Sequence, residues 1–418
     1  MSATPHDPHD QHARQDDQPE DQRQTEGRQA EGRQQDGGAG RGGPLAGVRV
    51  VEVAGIGPGP HACMILADLG ADVVRLDRPR GQLFTGGSHD LLNRGRPSVA
   101  IDLKHPEASA LVLRLVARAD LLVEGMRPGV AERLGIGPAD ALAANPRLVY
   151  GRMTGWGQDG PLAQRAGHDL TYVALTGALD GAGQDPARPH FPRNLLGDFG
   201  GGSTYLVIGL LAALTHARAT GRGQVVDAAI VDGLAHLDSM THALANGGID
   251  TAPRGQNLLD GGAPFYRLYE TADGRHVAVG ALEPPFFAAL LDVLDVADEC
   301  PDQADLARWP EMVALFARVI ASRTRDEWAA AAADTDACLV PVLSREEAAR
   351  HPHLAARGTF LPGPGGPQPA PAPRFSLTPA GLGSPPPATV GQDTGAALAA
   401  WGEEDVAGLL ARGVVHQA

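Results

Sequence analysis

From Pro44 onward the chain alternates short, β-branched apolar runs with longer apolar–polar stretches that stop at glycine. Residues 48–53 (VRVVEV) predict a buried strand, 54–60 a glycine-rich turn, 61–69 a helix stopped by Gly70, and 72–76 (DVVRL) a second strand. Strand, crossover helix and strand make a βαβ unit, and such units build a parallel sheet with helices on both faces. The pattern recurs with strands over 98–102, 121–124 and 147–152 and a helix over 107–119. A long apolar helix over 201–219, a strand over 224–229 and a helix over 231–245 follow.

The middle of the chain changes character. Residues 265–270 and 276–280 flank Asp273-Gly274, a strong hairpin signal, and helices are expected over 285–294, 310–322 and 326–333. Thr324 with Glu327 gives the last of these a capping box. Residues 340–343 read as the start of a return to the first domain, and 361–387, dense in Pro and Gly, as an extended surface segment. The expected organisation is a large α/β domain opening at 44–245, a smaller α+β domain over 246–339, and a return segment over 340–418 that completes the large one.

Composition narrows this picture. Residues 1–43 carry almost no large apolar side chain, cannot offset their ordering entropy, and are expected to form a disordered tail. A net charge of -15 excludes a general nucleic-acid binder with a basic face. Lys104 is the one lysine, which confines any Schiff-base chemistry to that position. Cys63, Cys300 and Cys338 are widely spaced, form no zinc pattern and suit a reduced cytoplasm. No N-terminal apolar segment marks a signal peptide. The apolar run near residues 205–214 is too short to span a bilayer.

Three places carry candidate chemistry. The turn Gly55-Ile56-Gly57-Pro58-Gly59-Pro60 sits where a dinucleotide fingerprint would, but Pro60 replaces its last glycine and the prolines remove two amide donors. A tight βα turn or an amide-lined wall for another ligand remain as readings. Arg78, Arg127 and Arg133 fall at expected carboxyl ends of strands, where guanidinium groups suit phosphates. Ala166-Gly167-His168-Asp169 and Gly197-Asp198-Phe199-Gly200-Gly201-Gly202 join an acid–base pair to glycines that allow close backbone approach. An N-cap role for Asp198 and a structural role for His168 are the plainer readings.

With these strings the chain resembles the CaiB/BaiF family, the family III CoA-transferases, and within it the α-methylacyl-CoA racemase type. The resemblance runs from Pro44 to about Pro387 on PLAGVRVVEVAGIGPGPHACMILADLGADVVRLDRP, EGMRPGVAERLGIGP, RMTGWGQDGPLAQRAGHDLTY, NLLGDFGGGS, GRGQVVDAAIVDG and NLLDGGAPFYRLYETADG. It implies an interlocked homodimer. Each chain would have a large Rossmann-like parallel-sheet domain built from N- and C-terminal segments and a smaller α+β domain from the middle. The active site would lie between the large domain of one chain and the small domain of the other.

The resemblance also implies roles. His168 and Asp198 would be the two proton-transfer groups, Glu283 the orienter of His168, and the backbone N–H of Asp169 a donor to the thioester oxygen. CoA contacts would come from Arg78, Ile101, Asp102, Leu103, Lys104, Gly125, Met126, Arg127, Arg133, Gly167 and Tyr172. The implied reaction is inversion of the α-carbon of a 2-methylacyl-CoA, with no metal and no cofactor beyond the CoA of the substrate. A family III CoA-transferase, using Asp198 as nucleophile, is the alternative, and its relatives generally lack the His of AGHD. A non-catalytic acyl-CoA binder would lack the acid or the base. Residues 238–250 (DSMTHALANGGID) are small and polar where racemases of this type often carry a bulkier, Met-containing wall.

Overall fold

The short apolar runs assemble into one twisted sheet, as their burial requires. A computed structural model describes residues 42–81 and 87–418. The expected tail lies almost wholly outside the described residues. The strands are β1 (Arg49–Val53), β2 (Asp72–Asp77), β3 (Ser98–Ile101), β4 (Leu121–Glu124), β5 (Val149–Thr154), β6 (Gln224–Ala229), β7 (Tyr266–Glu270), β8 (His276–Gly280), β9 (Leu339–Pro341), β10 (Phe360–Gly363), β11 (Gly366–Pro369) and β12 (Val415–His416). The large sheet has the order β12-β3-β2-β1-β4-β5-β6. β1 to β6 pair parallel, and β12 adds an antiparallel edge on β3.

Side chains of these strands alternate between two cores. Val51, Val53, Val74 and Leu122 pack with the helix Ala108–Val116 and, near the C-terminus, the helix Thr394–Ala400. Val50, Val73, Leu121 and Val149 pack on the other face with the helices Pro58–Asp68 and Thr204–Thr220. A sheet covered on both sides reads as near-continuous apolar strands, which is why these elements stood out in the sequence. Glu52 and Arg96 pair within this interior, and Arg75 donates to Asp77 at 3.0 Å, so these four buried charges are matched.

Five expectations need correction. The first helix begins at Pro58, not at residue 61; the first-turn N–H groups have no intrahelical acceptor, so Pro58 and Pro60 are tolerated there. The helix expected over 231–245 is two, Ile230–Leu237 and Ser239–Asn246. β9 does not open a return to the large sheet: it pairs antiparallel with β8 as the third strand of the small sheet β7-β8-β9. The helical run Leu195–Thr220 spans 26 residues, enough by length and composition to cross a bilayer. Its Leu206, Val207, Leu210 and Leu214 are nevertheless buried in the core beneath the sheet. Within the segment expected to be extended, β10 and β11 form a hairpin.

Candidate active site

The carboxyl ends of the parallel strands form one edge, and the strand order reverses between β1 and β4. Ligands of open parallel sheets bind in the crevice at that point. Arg78 follows β2, residues 102–104 follow β3, and Gly125, Met126 and Arg127 follow β4. Arg133 ends the short helix Val130–Arg133. Arg78, Lys104, Arg127 and Arg133 are exposed. Among the described residues none of the four is in a salt bridge. Ile101 differs: its side chain is wholly inside the core, which leaves its backbone as the group at the edge. Leu103 and Met126 rest partly on the same core.

An ionic cluster shapes the loop after β4. Arg152 of β5 donates to Glu124 at 3.0 Å and to Glu132 at 2.9 Å. The second oxygen of Glu124 accepts the Met126 N–H at 2.6 Å. One guanidinium thus ties the end of β4 to the helix carrying Arg133. Burial pushes the Glu124 carboxyl up, against the pull of the Met126 amide and Arg152. None of these three was singled out from the sequence; the available signal was a carboxylate ending an apolar strand.

Two glycines make room for Tyr172. A Cβ at Gly155 would lie 2.1 Å from the ring, and one at Gly167 would lie 2.5 Å from it. Trp156 meets the ring edge-on, with centroids 4.7 Å apart. Burial, followed by the charge of Asp198, pushes the phenol up to about 12. This wedge sits on the helix Asp169–Leu175, of which His168 is the N-cap (φ -140°, ψ 167°). The His168 N–H donates to Thr171 Oγ1 at 3.1 Å and the His168 carbonyl accepts the Thr171 N–H at 2.8 Å. The imidazole is exposed. Asp169 is the first helical residue, where a backbone N–H has no intrahelical partner.

Asp198 lies in a π-helical segment, Leu195–Ser203, that runs directly into Thr204–Thr220. It is therefore inside a helical run and not at an N-cap. Such π-turns are rare and occur frequently at functional sites. The glycines permit backbone-to-backbone packing: a Cβ on Gly201 would lie 2.8 Å from the Leu234 nitrogen, and one on Gly233 would lie 1.9 Å from the Gly201 oxygen. The Asp198 carboxylate accepts from Asn194 at 3.2 Å. It also lies over Gly57 (φ +70°), where a Cβ would come within 3.3 Å of it. The Asp198 N–H donates to Asp169 Oδ1 at 2.7 Å. Burial raises the Asp198 carboxyl above its ordinary range; Asn194 and His168 pull it down and Asp169 pushes it up. His168 is thus near enough for its charge to be felt at Asp198.

Glu283 is the N-cap of the helix Pro284–Leu294 that follows β8. Its carboxylate is exposed, and no hydrogen bond or ion pair joins it to His168 among the described residues. It acts electrostatically on Cys338, whose thiol is raised by burial, then by Glu283 and Asp336. One chain brings together His168, Asp169, Tyr172 and Asp198, and leaves Glu283 beside the small sheet.

The pattern of CoA-transferase family III matches residues 45–394. The chain belongs to this family. It is 45% identical to the α-methylacyl-CoA racemase of Mus musculus over 86% of this chain and 93% of that protein. It is 46% identical to the α-methylacyl-CoA racemase of Homo sapiens over 76% of this chain and 82% of that protein. A solved structure of a CAIB/BAIF family protein from Brucella suis matches with a TM-score of 0.75 at 26% identity, covering 86% of this chain and 100% of that one. The family and the parallel-sheet α/β core expected from the motifs are borne out.

Proposed function

We propose that this chain is a 2-methylacyl-CoA racemase that inverts the α-carbon of a branched acyl-CoA thioester through an enolate. The observation that carries the reading is the hydrogen bond from the Asp198 N–H to the side chain of Asp169 at 2.7 Å, which ties the segment of Asp198 to the residue next to His168. The relatives bearing the racemase name support it. For one enantiomer the neutral imidazole of His168 takes the α-proton while the protonated Asp198 carboxyl delivers one to the opposite face; for the other the roles reverse. Burial and the Asp169 charge move Asp198 toward holding that proton. The N–H of Asp169, which has no acceptor among the described residues, is the donor for the developing enolate oxygen. Arg78, Lys104, Arg127 and Arg133 are the cations for the CoA phosphates. CoA belongs to the substrate, and the scheme calls on no other cofactor or metal.

The interlocked homodimer is part of the same reading. Leu237, Met240 and Ile249 are exposed at 47%, 63% and 64%, the helix Ser239–Asn246 buries no residue, and Tyr266, Leu268 and Val340 stand exposed on the small sheet. In this reading these exposed apolar side chains are what a second copy covers. A second copy docked there would carry its Glu283 to the far ring nitrogen of His168 and fix the tautomer. In this reading the large domain combines 44–245 with the return segment, and the small domain keeps β9. Free cysteines fit a cytoplasmic location. CoA transfer through an Asp198 anhydride would give His168 no task, so the presence of His168 beside Asp169 favours the racemase. Loss of optical purity with uptake of deuterium from heavy water tests the proposal.

A further inference from the structure

We infer that His61 is a positioning residue for Asp198, acting through Ser203 and the carbonyl of Phe199; the inference rests on reading Asp198 as a proton-transfer group. His61 lies in the helix Pro58–Asp68, which follows the turn carrying Gly57. Its Nδ1 is 2.6 Å from Ser203 Oγ, and Ser203 Oγ is 3.0 Å from the Phe199 carbonyl oxygen. A carbonyl only accepts, so the single Ser203 proton goes there and His61 donates from Nδ1. The Phe199 ring lies on the imidazole, with centroids 4.5 Å apart. The same carbonyl accepts the Thr204 N–H and, at 2.9 Å, the Thr204 hydroxyl.

Phe199 follows Asp198 directly, and the Asp198 N–H is held by Asp169. The backbone that carries the catalytic carboxyl is therefore anchored on both sides, by Asp169 at the Asp198 N–H and by the Ser203–His61 pair at the Phe199 carbonyl. The charges around His61 suit a fixed donor. Arg94 is held by Asp68 at 2.5 Å and Arg96 is paired with Glu52. Burial, then these two guanidinium groups, lowers the imidazole pKa to about 4. His61 stays neutral through the neutral range and keeps one tautomer, so it serves as a fixed donor and not as a proton-transfer group.

His61→Phe keeps a ring and removes the donor; His61→Asn puts an amide nitrogen near the place of Nδ1. In the full chain, α-deuterium exchange of a 2-methylacyl-CoA is expected to fall about a hundredfold in kcat in His61→Phe. KM and the CoA-induced rise in Tm should stay unchanged, and His61→Asn should recover the rate. Ser203→Ala should behave as His61→Phe does. The titration of the Asp198 carboxyl, followed by carbon NMR without substrate, should move in His61→Phe and return in His61→Asn. Unchanged kcat and an unchanged Asp198 titration in His61→Phe overturn the inference. So does a loss of kcat matched by loss of CoA protection and not rescued by Asn, the outcome of general damage to the fold. If the wild-type chain exchanges no α-deuterium, the racemase reading fails, and the Asp198 titration alone decides the role of His61.

Discussion

The side chain of Asp169 accepts the backbone N–H of Asp198 at 2.7 Å. The neighbour of the proposed base thereby anchors the proposed acid, and one hydrogen bond links the AGHD and GDFGGG motifs. Gly197 makes the approach possible, since a Cβ there would lie 2.5 Å from Asp169 Oδ1. Asp169 is buried, so water does not readily replace it.

Removing this anchor has a predictable cost. Asp169→Ala leaves the Asp198 amide without its acceptor and should destabilise the protein by about 1–3 kcal/mol in thermal or denaturant melts. Asp169→Asn keeps an oxygen acceptor and removes the charge that pushes Asp198 up. It should melt close to wild type while the Asp198 titration shifts to lower pH. Equal destabilisation by both substitutions would show that the hydrogen bond is not what Asp169 contributes.

Asp198 itself should trade stability for activity. Its folded carboxyl is raised, chiefly by burial. Between the unfolded and the folded pKa the native state binds more protons, so stability falls as pH rises through the folded value. Asp198→Asn removes the buried charge. At pH 8 the variant should melt above wild type, and the gap should close as pH falls through the raised range in which wild-type Asp198 takes up its proton. A lower Tm for Asp198→Asn at pH 8 would contradict this.

The edge cations should bind CoA. Arg78, Lys104, Arg127 and Arg133 are exposed at the carboxyl edge without a salt bridge among the described residues. At a hundredfold excess over its Kd, CoA should stabilise the fold by about 2.7 kcal/mol, read as a rise in Tm. The rise should shrink in Arg133→Ala. It should also shrink in Glu124→Gln, which keeps an acceptor for Met126 but loses the ion pair with Arg152. No rise at millimolar CoA would remove these residues from the binding site.

How much of this was legible in the sequence follows from the range of each interaction. Residues 121–124 are a strand as expected, because a strand buried on both faces is a short apolar run bounded by turns; residues 224–229 are a strand too, at the largely exposed edge of the sheet. β9 was misplaced because three residues, Leu-Val-Pro, specify a strand but not which sheet it joins, a choice made by pairing with β8. His168 and Asp198 stood out through the glycines around them. The π-helical turn did not, since nothing in its composition separates it from an α-helix start. The Arg152, Glu124 and Glu132 cluster draws on three separate elements, and local pattern carries no trace of it. The His61–Ser203 contact spans 142 positions and was invisible for the same reason.

The central claim is that His168 and Asp198 exchange the α-proton of a thioester. One pure enantiomer of a 2-methylacyl-CoA, incubated with the protein in heavy water without an acceptor acid, should lose optical purity and gain deuterium at the α-carbon. His168→Ala and Asp198→Asn should each slow this by at least about a hundredfold. Full activity in His168→Ala, together with acceptor-dependent CoA transfer and a covalent adduct on Asp198, would contradict the account and make the chain a CoA-transferase.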